Sequence, residues 1–316
     1  MFFKLESFYF FLIYMFLITL FFSLNSLFMF WLLLEINLII FVLFVSSMFD
    51  MNSYKTTEQG FYYLIIQALG SLILLYSILM SDSSKMFYLE ESFLFMISLS
   101  LKIGLVPLHF WIFKLSNYLK DAPMFFILTF QKIPTLFILF SSNCAFLLEL
   151  TLVNLLFGSL MLFYSKEIKN LMVSSSIYST VWFFLFFLVS PLFFLIFLMN
   201  YFIFVFLMLK LNKAFFVSCY GSFEKLLLIL SFLFFVGLPP MGLFFFKFFS
   251  LPLLLDILNE FSVFMVWIFT FVSTFAYFSF FYFWFFSNEN LFFPSTTQYS
   301  FIFTFFLLME CFLLLI

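Results

Sequence analysis

Long apolar runs, separated by short polar segments, recur along the whole chain and predict about eleven transmembrane helices. A membrane-spanning helix needs about 20 predominantly apolar residues, which is the typical length of these runs. They do not alternate apolar and polar residues in segments of about ten, as the strands of a membrane barrel would. The predicted spans are 8–24, 27–48, 60–80, 93–115, 123–142, 144–164, 171–190, 192–209, 226–250, 263–286 and 299–316.

The composition supports the same fold class. Hydrophobic residues make up 66% of the 316 residues and charged residues 9%, with a mean hydropathy of +1.25. Soluble domains carry about 25% charged residues. No polar stretch is long enough to form a soluble domain. The sequence therefore predicts an all-α, polytopic bundle that forms one transmembrane domain over residues 1–316.

Two of the predicted spans combine a Gly/Pro break with a lysine. In span 93–115, Lys102 precedes a break at Gly104 and Pro107, and in span 226–250 a GLPPMG segment precedes Lys247. Proline removes a backbone donor and clashes with the carbonyl four residues earlier. Such a break is tolerated at membrane depth only where protein or a water-filled cavity satisfies the freed backbone groups.

The positions of the two breaks predict an inverted repeat. The broken spans lie five spans apart, so their helices cross the membrane in opposite directions. Broken helices at matching positions of two halves are the best sequence indication of a transporter site. We expect half-repeats over 1–142 and 143–286, followed by an additional C-terminal helix over 287–316.

The lysines in the predicted loops give an orientation. Loops on the side of the N-terminus contain nine lysines and loops on the opposite side contain only Lys85. Positive residues collect on the side where a membrane protein is synthesised. The N-terminus should face that compartment and the C-terminus the opposite one. The nine lysines are Lys4, Lys55, Lys114, Lys120, Lys166, Lys169, Lys210, Lys213 and Lys225.

Four ionisable residues fall near the middle of predicted spans: Glu35, Lys102, Lys132 and Lys247. Left isolated, they would cost on the order of 10 kcal/mol together, so pairing or hydration is expected. Glu35 opposite Lys102 is the expected ion pair, and a proton relay is the functional hypothesis. Alternatively, Glu35 lies near a helix end or is packed as the neutral acid. Lys132 could instead extend its side chain to the membrane surface, and Lys247 could bind lipid phosphate.

Secondary relay candidates lie near these charges. His109, the only histidine, follows Lys102 by seven residues, which places both side chains on roughly the same face of a helix, where His109 could pass protons. The alternative is an imidazole at the membrane interface that bonds to a carbonyl. The segment SSSIYST places Ser176, Ser179 and Thr180 on a hydroxyl-rich face. That face either packs helices, with hydroxyls bonded back to carbonyls, or lines a water chain.

The chain resembles the antiporter-like membrane subunits of respiratory complex I, NADH:ubiquinone oxidoreductase. The matching motifs occur in family order over most of the chain. Its length and span count resemble those of the shortest such subunit. The motifs are WLLLEINL (31–38), IIQALGS (65–71), LKIGLVPLHFW (101–111), QKIPTLFIL (131–139), LMVSSSIYSTVW (171–182) and GLPPMGLFFFK (237–247).

The resemblance implies a core subunit that couples NADH-to-ubiquinone electron transfer to proton translocation in the mitochondrial inner membrane. Its N-terminus would face the matrix and its C-terminus the intermembrane space. The family's channel carboxylate matches Glu35, its broken-helix lysine Lys102, its central lysine Lys132 and its distal lysine Lys247. Expected partners are the other membrane-arm subunits, including a second antiporter-like subunit and the small membrane subunits, and lipids such as cardiolipin; no nucleic acid is expected.

The resemblance also implies that this chain binds no cofactor and no metal, and that NADH, FMN, Fe–S clusters and ubiquinone are bound elsewhere in the complex. The isolated Cys144, Cys219 and Cys311 agree, since they suit neither a zinc site nor a cluster. The chain departs from the family at Ser179, where a histidine is usual. Two other functions stay open: a stand-alone cation/proton antiporter, and a structural membrane-arm subunit without a proton path of its own.

Overall fold

The structure, a computed structural model, describes residues 5–24, 26–48, 54–83, 88–141, 146–216, 242–256 and 258–286. These residues form helices and no β-strand, which confirms the predicted all-α bundle. The helices are α1 Leu5–Phe21, α2 Leu27–Met48, α3 Tyr54–Ser83, α4 Tyr88–Ile103, α5 Phe110–Ser116, α6 Asp121–Leu128, α7 Lys132–Ser141, α8 Phe146–Tyr164, α9 Ile168–Val189, α10 Pro191–Phe216, α11 Gly242–Leu255 and α12 Glu260–Phe286.

The helices follow the predicted spans. Helix α2 has the predicted bounds, and α7 and α8 are separate, as the split near Ser142 required. Spans 93–115 and 123–142 each contain two helices, α4 with α5 and α6 with α7. The break before Lys247 and the eleventh span, 299–316, lie outside the described residues.

Several helices are long and apolar enough to cross a membrane. Within the described part of the chain there are six such spans, in α2, α3, α6 with α7, α9, α10 and α12, and α1, α4 and α8 contain shorter apolar stretches. Together with the composition, these helices identify a multi-pass membrane protein.

Helix α9 lies at the centre of the bundle. The protein buries 83% of its membrane-spanning window, against 39% for α2, α3 and α10 and 28% for α12. It packs against α5, α8, α10 and α11. Small residues permit this close packing: a Cβ on Gly158 of α8 would lie 3.2 Å from the backbone of Tyr178. Side chains from several neighbours therefore meet on α9.

Helices α1 to α4 and α7 pack mainly on one another, while α8 packs on α9 and α12. The contacts of α4 with α8, α5 with α9 and α6 with α10 join these two groups. The half-repeat boundaries at residues 142 and 286 stay a prediction.

Candidate functional site

The break in the fourth predicted span begins at Gly104. Helix α4 ends at Ile103, and the N–H groups of Gly104 and Leu105 both donate to the carbonyl of Ser100, at 2.9 and 2.8 Å. Gly104 has φ +77°, and a Cβ there would overlap the side chain of Ile112. Glycine is strongly favoured at this turn, which ends α4 one residue after Lys102.

Neighbouring helices satisfy the polar groups freed by the break. Asn154 of α8 accepts a hydrogen bond from the N–H of Val106 at 2.7 Å. The Trp111 indole donates to the carbonyl of Leu101 at 3.0 Å, and the amide of Gln67 in α3 donates to the carbonyl of Lys102 at 3.3 Å. These bonds meet the requirement that irregular backbone at membrane depth is satisfied by protein.

We expect Asn154→Ala to lower stability by about 1–3 kcal/mol, because it leaves the buried N–H of Val106 without its acceptor. The thermal unfolding midpoint of the detergent-solubilised protein measures the effect. Asn170→Ala is the matched control, because its amide bonds only to Glu167 at an exposed site. We expect the control to change stability by less than about 0.5 kcal/mol. Equal midpoints for the two variants would contradict a role for Asn154 at the break.

Lys102 is buried and lies near Glu35. Its side chain is 8% exposed, and its stem packs against Gly70 of α3, where a Cβ would lie 3.1 Å from Lys102 Cγ. Glu35 of α2 is half-buried and acts on Lys102 electrostatically, without a direct ion pair between the two described side chains. The structure thus brings the two charges together, although the expected direct contact is absent.

Lys132 lies directly after an irregular turn that was not predicted. Helix α6 ends at Leu128, and the N–H of Gln131 donates to the carbonyl of Phe126, five residues earlier, at 3.0 Å. Pro134 explains the irregularity, since its ring would clash with the carbonyl of residue 130 in a regular helix. Single turns of this wide type occur often at functional sites. The predicted span 123–142 is confirmed as one apolar span over residues 121–140, and this turn lies within it.

The Lys132 ammonium points into the protein. Its side chain is 4% exposed, and Nζ donates to the backbone carbonyl of Ser176 in α9 at 2.7 Å. This position excludes the snorkelling arrangement in the described structure. Tyr63 of α3 donates to the side-chain oxygen of the adjacent Gln131 at 2.6 Å, which fixes the irregular turn from the other side.

The hydroxyl-rich face of α9 is fully enclosed. Ser176, Ser179 and Thr180 are at most 4% exposed. Each hydroxyl donates to the carbonyl three residues earlier in α9, at 2.6 to 3.0 Å. The structure thus contains the back-bonded arrangement. Because a hydroxyl that donates can still accept, each oxygen keeps acceptor capacity toward neighbouring helices.

Lys247 of α11 contacts aromatic rings of α9. Its Nζ lies 5.2 Å from the centre of the Trp182 ring and 5.7 Å from that of Tyr178. Both distances are within the range of cation–π attraction. The structure thus places this ammonium against the aromatic rings of α9. Lys132 and Lys247 both contact α9, Lys132 at Ser176 and Lys247 at Tyr178 and Trp182.

His109 is buried at the start of α5. It is 3% exposed and precedes α5, and its ring lies 4.2 Å from that of Phe110. The argument that Lys102 and His109 share one helical face was wrong, because residues 104–109 are not helical and the periodicity is interrupted. Within the described ranges, no three His, Cys, Asp or Glu side chains are placed to hold a metal ion.

Sequence reasoning missed Tyr201 and Tyr277. Tyr201 of α10 is 0% exposed and interacts with the side chains of Ser176 and Ser179, and Tyr277 of α12 is 2% exposed and interacts with Ser175. Their signal was weak, since tyrosine is common at membrane interfaces and both residues lie among phenylalanines. Asn154 was also missed, although an amide inside an apolar helix is a usable signal.

The chain is similar to several curated proteins that share one name. The chain is 29% identical over 247 residues to NADH-ubiquinone oxidoreductase chain 2 of Caenorhabditis elegans, covering 77% of each chain. It is 30% identical over 230 residues to that of Anopheles gambiae, covering 66% of this chain and 65% of the relative. It is 27% identical over 163 residues to that of Balaenoptera musculus, a match that spans about half of that relative, 46% of its length. No family model matches the chain.

Solved structures share the fold. A chain of respiratory complex I from Thermus thermophilus with bound aureothin aligns with a TM-score of 0.65 and 20% identity, covering 78% of this chain and 64% of that chain. A chain of the Mrp complex from Dietzia sp. DQ12-45-1b aligns with a TM-score of 0.68 and 13% identity, covering 82% of this chain and 56% of that chain. The bundle therefore has the fold of chains found in these two membrane complexes.

Proposed function

We propose, from its similarity to the NADH-ubiquinone oxidoreductase chain 2 proteins, that this chain is a proton-translocating subunit of the membrane arm of complex I. The observation that carries the proposal is the buried Lys132, whose ammonium bonds to a backbone carbonyl of the central helix. No carboxylate among the described residues pairs with it. A lysine at this depth is costly, and residues of this kind mark ion and proton pathways.

In this mechanism, redox work at a quinone site in another subunit displaces Glu35 relative to Lys102. The interaction of two unit charges strengthens as their separation falls, so a displacement of Glu35 changes how strongly Lys102 holds its proton. A proton then passes by way of Lys132 toward Lys247. Hydride and electron transfer, with their NADH, FMN, Fe–S clusters and ubiquinone, belong to other subunits.

The proposed location is the mitochondrial inner membrane, with the N-terminus in the matrix and the C-terminus in the intermembrane space. The lysines of the N-terminal-side loops support this orientation. Exposed apolar side chains on α1, α3 and α12 suit lipid or neighbouring membrane subunits. The proposed partners are a second antiporter-like subunit, the small membrane subunits and lipids such as cardiolipin.

The proton-to-electron ratio in membranes that contain the substituted chain tests the function. We expect Lys102→Met and Glu35→Gln to lower the ratio while the complex still assembles, since both changes nearly preserve side-chain size. Lys114→Met is the control, because Lys114 is exposed and its Nζ lies 4.1 Å from the ring centre of Tyr62. An unchanged ratio in an assembled Lys102→Met complex would remove the proton role of Lys102. Lost assembly with intact coupling in the remaining complex would favour the structural subunit.

The stand-alone antiporter is the second candidate, because the bundle also aligns with a chain of the Mrp complex. The higher identity to the chain 2 proteins favours the complex I subunit. Native-gel electrophoresis of mildly solubilised membranes, with NADH–dye staining and mass spectrometry, distinguishes the two. A large NADH-active band that contains this chain supports the proposal, and a small inactive band supports the antiporter.

A further inference from the structure

We propose that one face of α3 positions the segments that carry Glu35, Lys102 and Lys132. On this face, Tyr63 and Gln67 act as positioning residues, because each bonds to a segment that carries a lysine and not to the ammonium itself. The inference rests on the proposed function and adds the residues that hold three of its charges in place. We give the name α3 face to the set Tyr63, Gln67, Gly70 and Ser71.

The four residues of the α3 face lie on one side of the helix. Their spacing is i, i+4, i+7 and i+8, which brings side chains above one another on a single helical face. Tyr63, Gln67 and Ser71 are at most 6% exposed. On the opposite side of α3, four apolar residues are at least 51% exposed: Phe61, Ile65, Leu69 and Leu72. The polar groups of the α3 face therefore point into the protein.

Tyr63 fixes the irregular turn before Lys132. Its hydroxyl donates to Gln131 Oε1 at 2.6 Å, and Gln131 is the residue that closes this turn. The Tyr63 ring packs against Phe41 of α2 and Trp111 of α5, with ring centres 5.1 and 5.9 Å away. Because these contacts hold the ring, its hydroxyl fixes the backbone from which Lys132 extends.

Gln67 and Gly70 fix the segment that carries Lys102. The Gln67 amide donates to the carbonyl of Lys102 at 3.3 Å, in the last turn of α4. Carbonyls in the last turn of a helix have no partner within their own helix, so this bond comes from α3. A Cβ on Gly70 would lie 3.1 Å from Lys102 Cγ. Both the backbone and the side-chain stem of Lys102 are thus set by α3.

Ser71 connects the α3 face with the helix that carries Glu35. The Trp31 indole of α2 donates to the Ser71 carbonyl at 2.9 Å. Trp31 precedes Glu35 by four residues, so the two side chains lie on the same side of α2, one turn apart. The bond therefore fixes the position of α2 along α3 close to Glu35. It sets the resting separation from which Glu35 and Lys102 would move.

Helix packing alone does not account for this set of bonds. Polar residues do join helices within membranes, where any pair of neighbouring helices can use them. Here each bond ends on a charge-bearing residue or within four residues of one. Reactive groups must be held within about 0.5 Å of their working geometry, and a misplacement of about 1 Å can slow a reaction 10²-fold. One helix that holds three charges meets this requirement.

The test is the proton-to-electron ratio of the assembled complex with Tyr63→Phe or Gln67→Met. Each change removes one hydrogen-bonding group and nearly preserves side-chain shape. We expect Tyr63→Phe to lower the ratio toward that of Lys132→Met, and proton transfer through this chain to slow about tenfold or more. Gln67→Met should lower the ratio toward that of Lys102→Met. NADH–dye activity and native-gel mobility should not change.

Double variants separate positioning from general stabilisation. A positioning residue acts only through the group that it positions, so the two effects are not additive. Tyr63→Phe should therefore leave the ratio of Lys132→Met unchanged, and Gln67→Met should leave that of Lys102→Met unchanged. A further fall of the ratio in these double variants would show that the α3 face acts in another way and would overturn the inference.

Two matched controls lie on the same helix. Tyr62→Phe removes the hydroxyl next to Tyr63; Tyr62 is half-buried, and its ring centre lies 4.1 Å from Lys114 Nζ. Gln59→Met repeats the change made at Gln67, since both glutamines are 6% exposed and lie two turns apart on one side of α3. The Gln59 side-chain oxygen meets no donor among the described residues. We expect both controls to keep the normal ratio.

The outcomes distinguish this inference from the function on which it rests. Lowered ratios in Lys102→Met and Lys132→Met, with normal ratios in Tyr63→Phe and Gln67→Met, would overturn the inference and leave the proposed function intact. Normal ratios in the two lysine variants would overturn the proposed function, and the positioning role with it. If Tyr63→Phe and Gln67→Met fail to assemble while both controls assemble, the bonds are structural and the inference is wrong.

Discussion

Lys132→Met is expected to slow proton transfer through this chain by about 10²-fold or more, the usual contribution of a positioned proton-transfer group. The same change should not destabilise the bundle. Methionine is flexible and of similar length, and it removes an ammonium that costs roughly 2.5–3.5 kcal/mol at this depth. The Ser176 carbonyl keeps its bond from the Ser179 hydroxyl. Lost proton transfer with unchanged or higher stability is the diagnostic combination.

The measurement is NADH-driven acidification in membrane vesicles, together with the thermal midpoint of the complex. Lys132→Arg is the sharper companion variant, because arginine keeps the charge and does not release its proton at accessible pH. We expect both variants to fail in proton transfer. Normal transfer by an assembled Lys132→Arg chain would show that a fixed positive charge is sufficient and would contradict a relay through Lys132.

Gly104→Val is expected to prevent stable assembly, for reasons unrelated to protons. Its φ of +77° is strongly disfavoured for a β-branched residue, and the new Cβ would overlap Ile112. The strained backbone costs about 1–3 kcal/mol, and the overpacking costs a similar amount. The amount of this chain in the native-gel band measures the loss.

Gly60→Ala is the control for Gly104. Gly60 lies within α3, and a Cβ there would meet nothing within 4 Å. Alanine is favoured over glycine in a helix by about 1 kcal/mol, so the control should assemble at least as well as the original chain. Full assembly of Gly104→Val would mean that the turn after Lys102 can adopt another conformation.

The hydrophobic pattern and the helix-breaking glycine and proline residues predicted most of the fold. The bounds of α2, the separation of α7 from α8 and the end of α4 at Gly104 all follow from local signals. The irregular turn before Lys132 was missed, although Pro134 carried its signal, because proline does not always distort a membrane helix. The resemblance to the antiporter-like subunits was confirmed by the curated relatives.

The candidate site was only partly accessible from sequence. Charges in apolar runs identified Glu35, Lys102, Lys132 and Lys247, and burial of Lys102 and Lys132 agrees with their expected depth. Their neighbours were not predictable, since the Ser176 carbonyl that binds Lys132 comes from a residue 44 positions later. Every residue has a backbone carbonyl, so the sequence does not show which carbonyl will accept a hydrogen bond from Lys132. The roles of these residues stay predictions.

The hydrogen bonds of α9 and Lys132 also bear on how the chain enters the bilayer during synthesis. The hydroxyls of α9 bond to carbonyls of their own helix, so α9 can reside in lipid before α10, α11 and α12 are made. Lys132 cannot be satisfied within its own helix in this way, because the Ser176 carbonyl that accepts its hydrogen bond belongs to α9, which is synthesised later. Until then its ammonium must remain near head groups or within the insertion machinery. Helix α7 therefore reaches its final depth only when α9 arrives, and an arrest of translation between them should leave α7 accessible from the aqueous side.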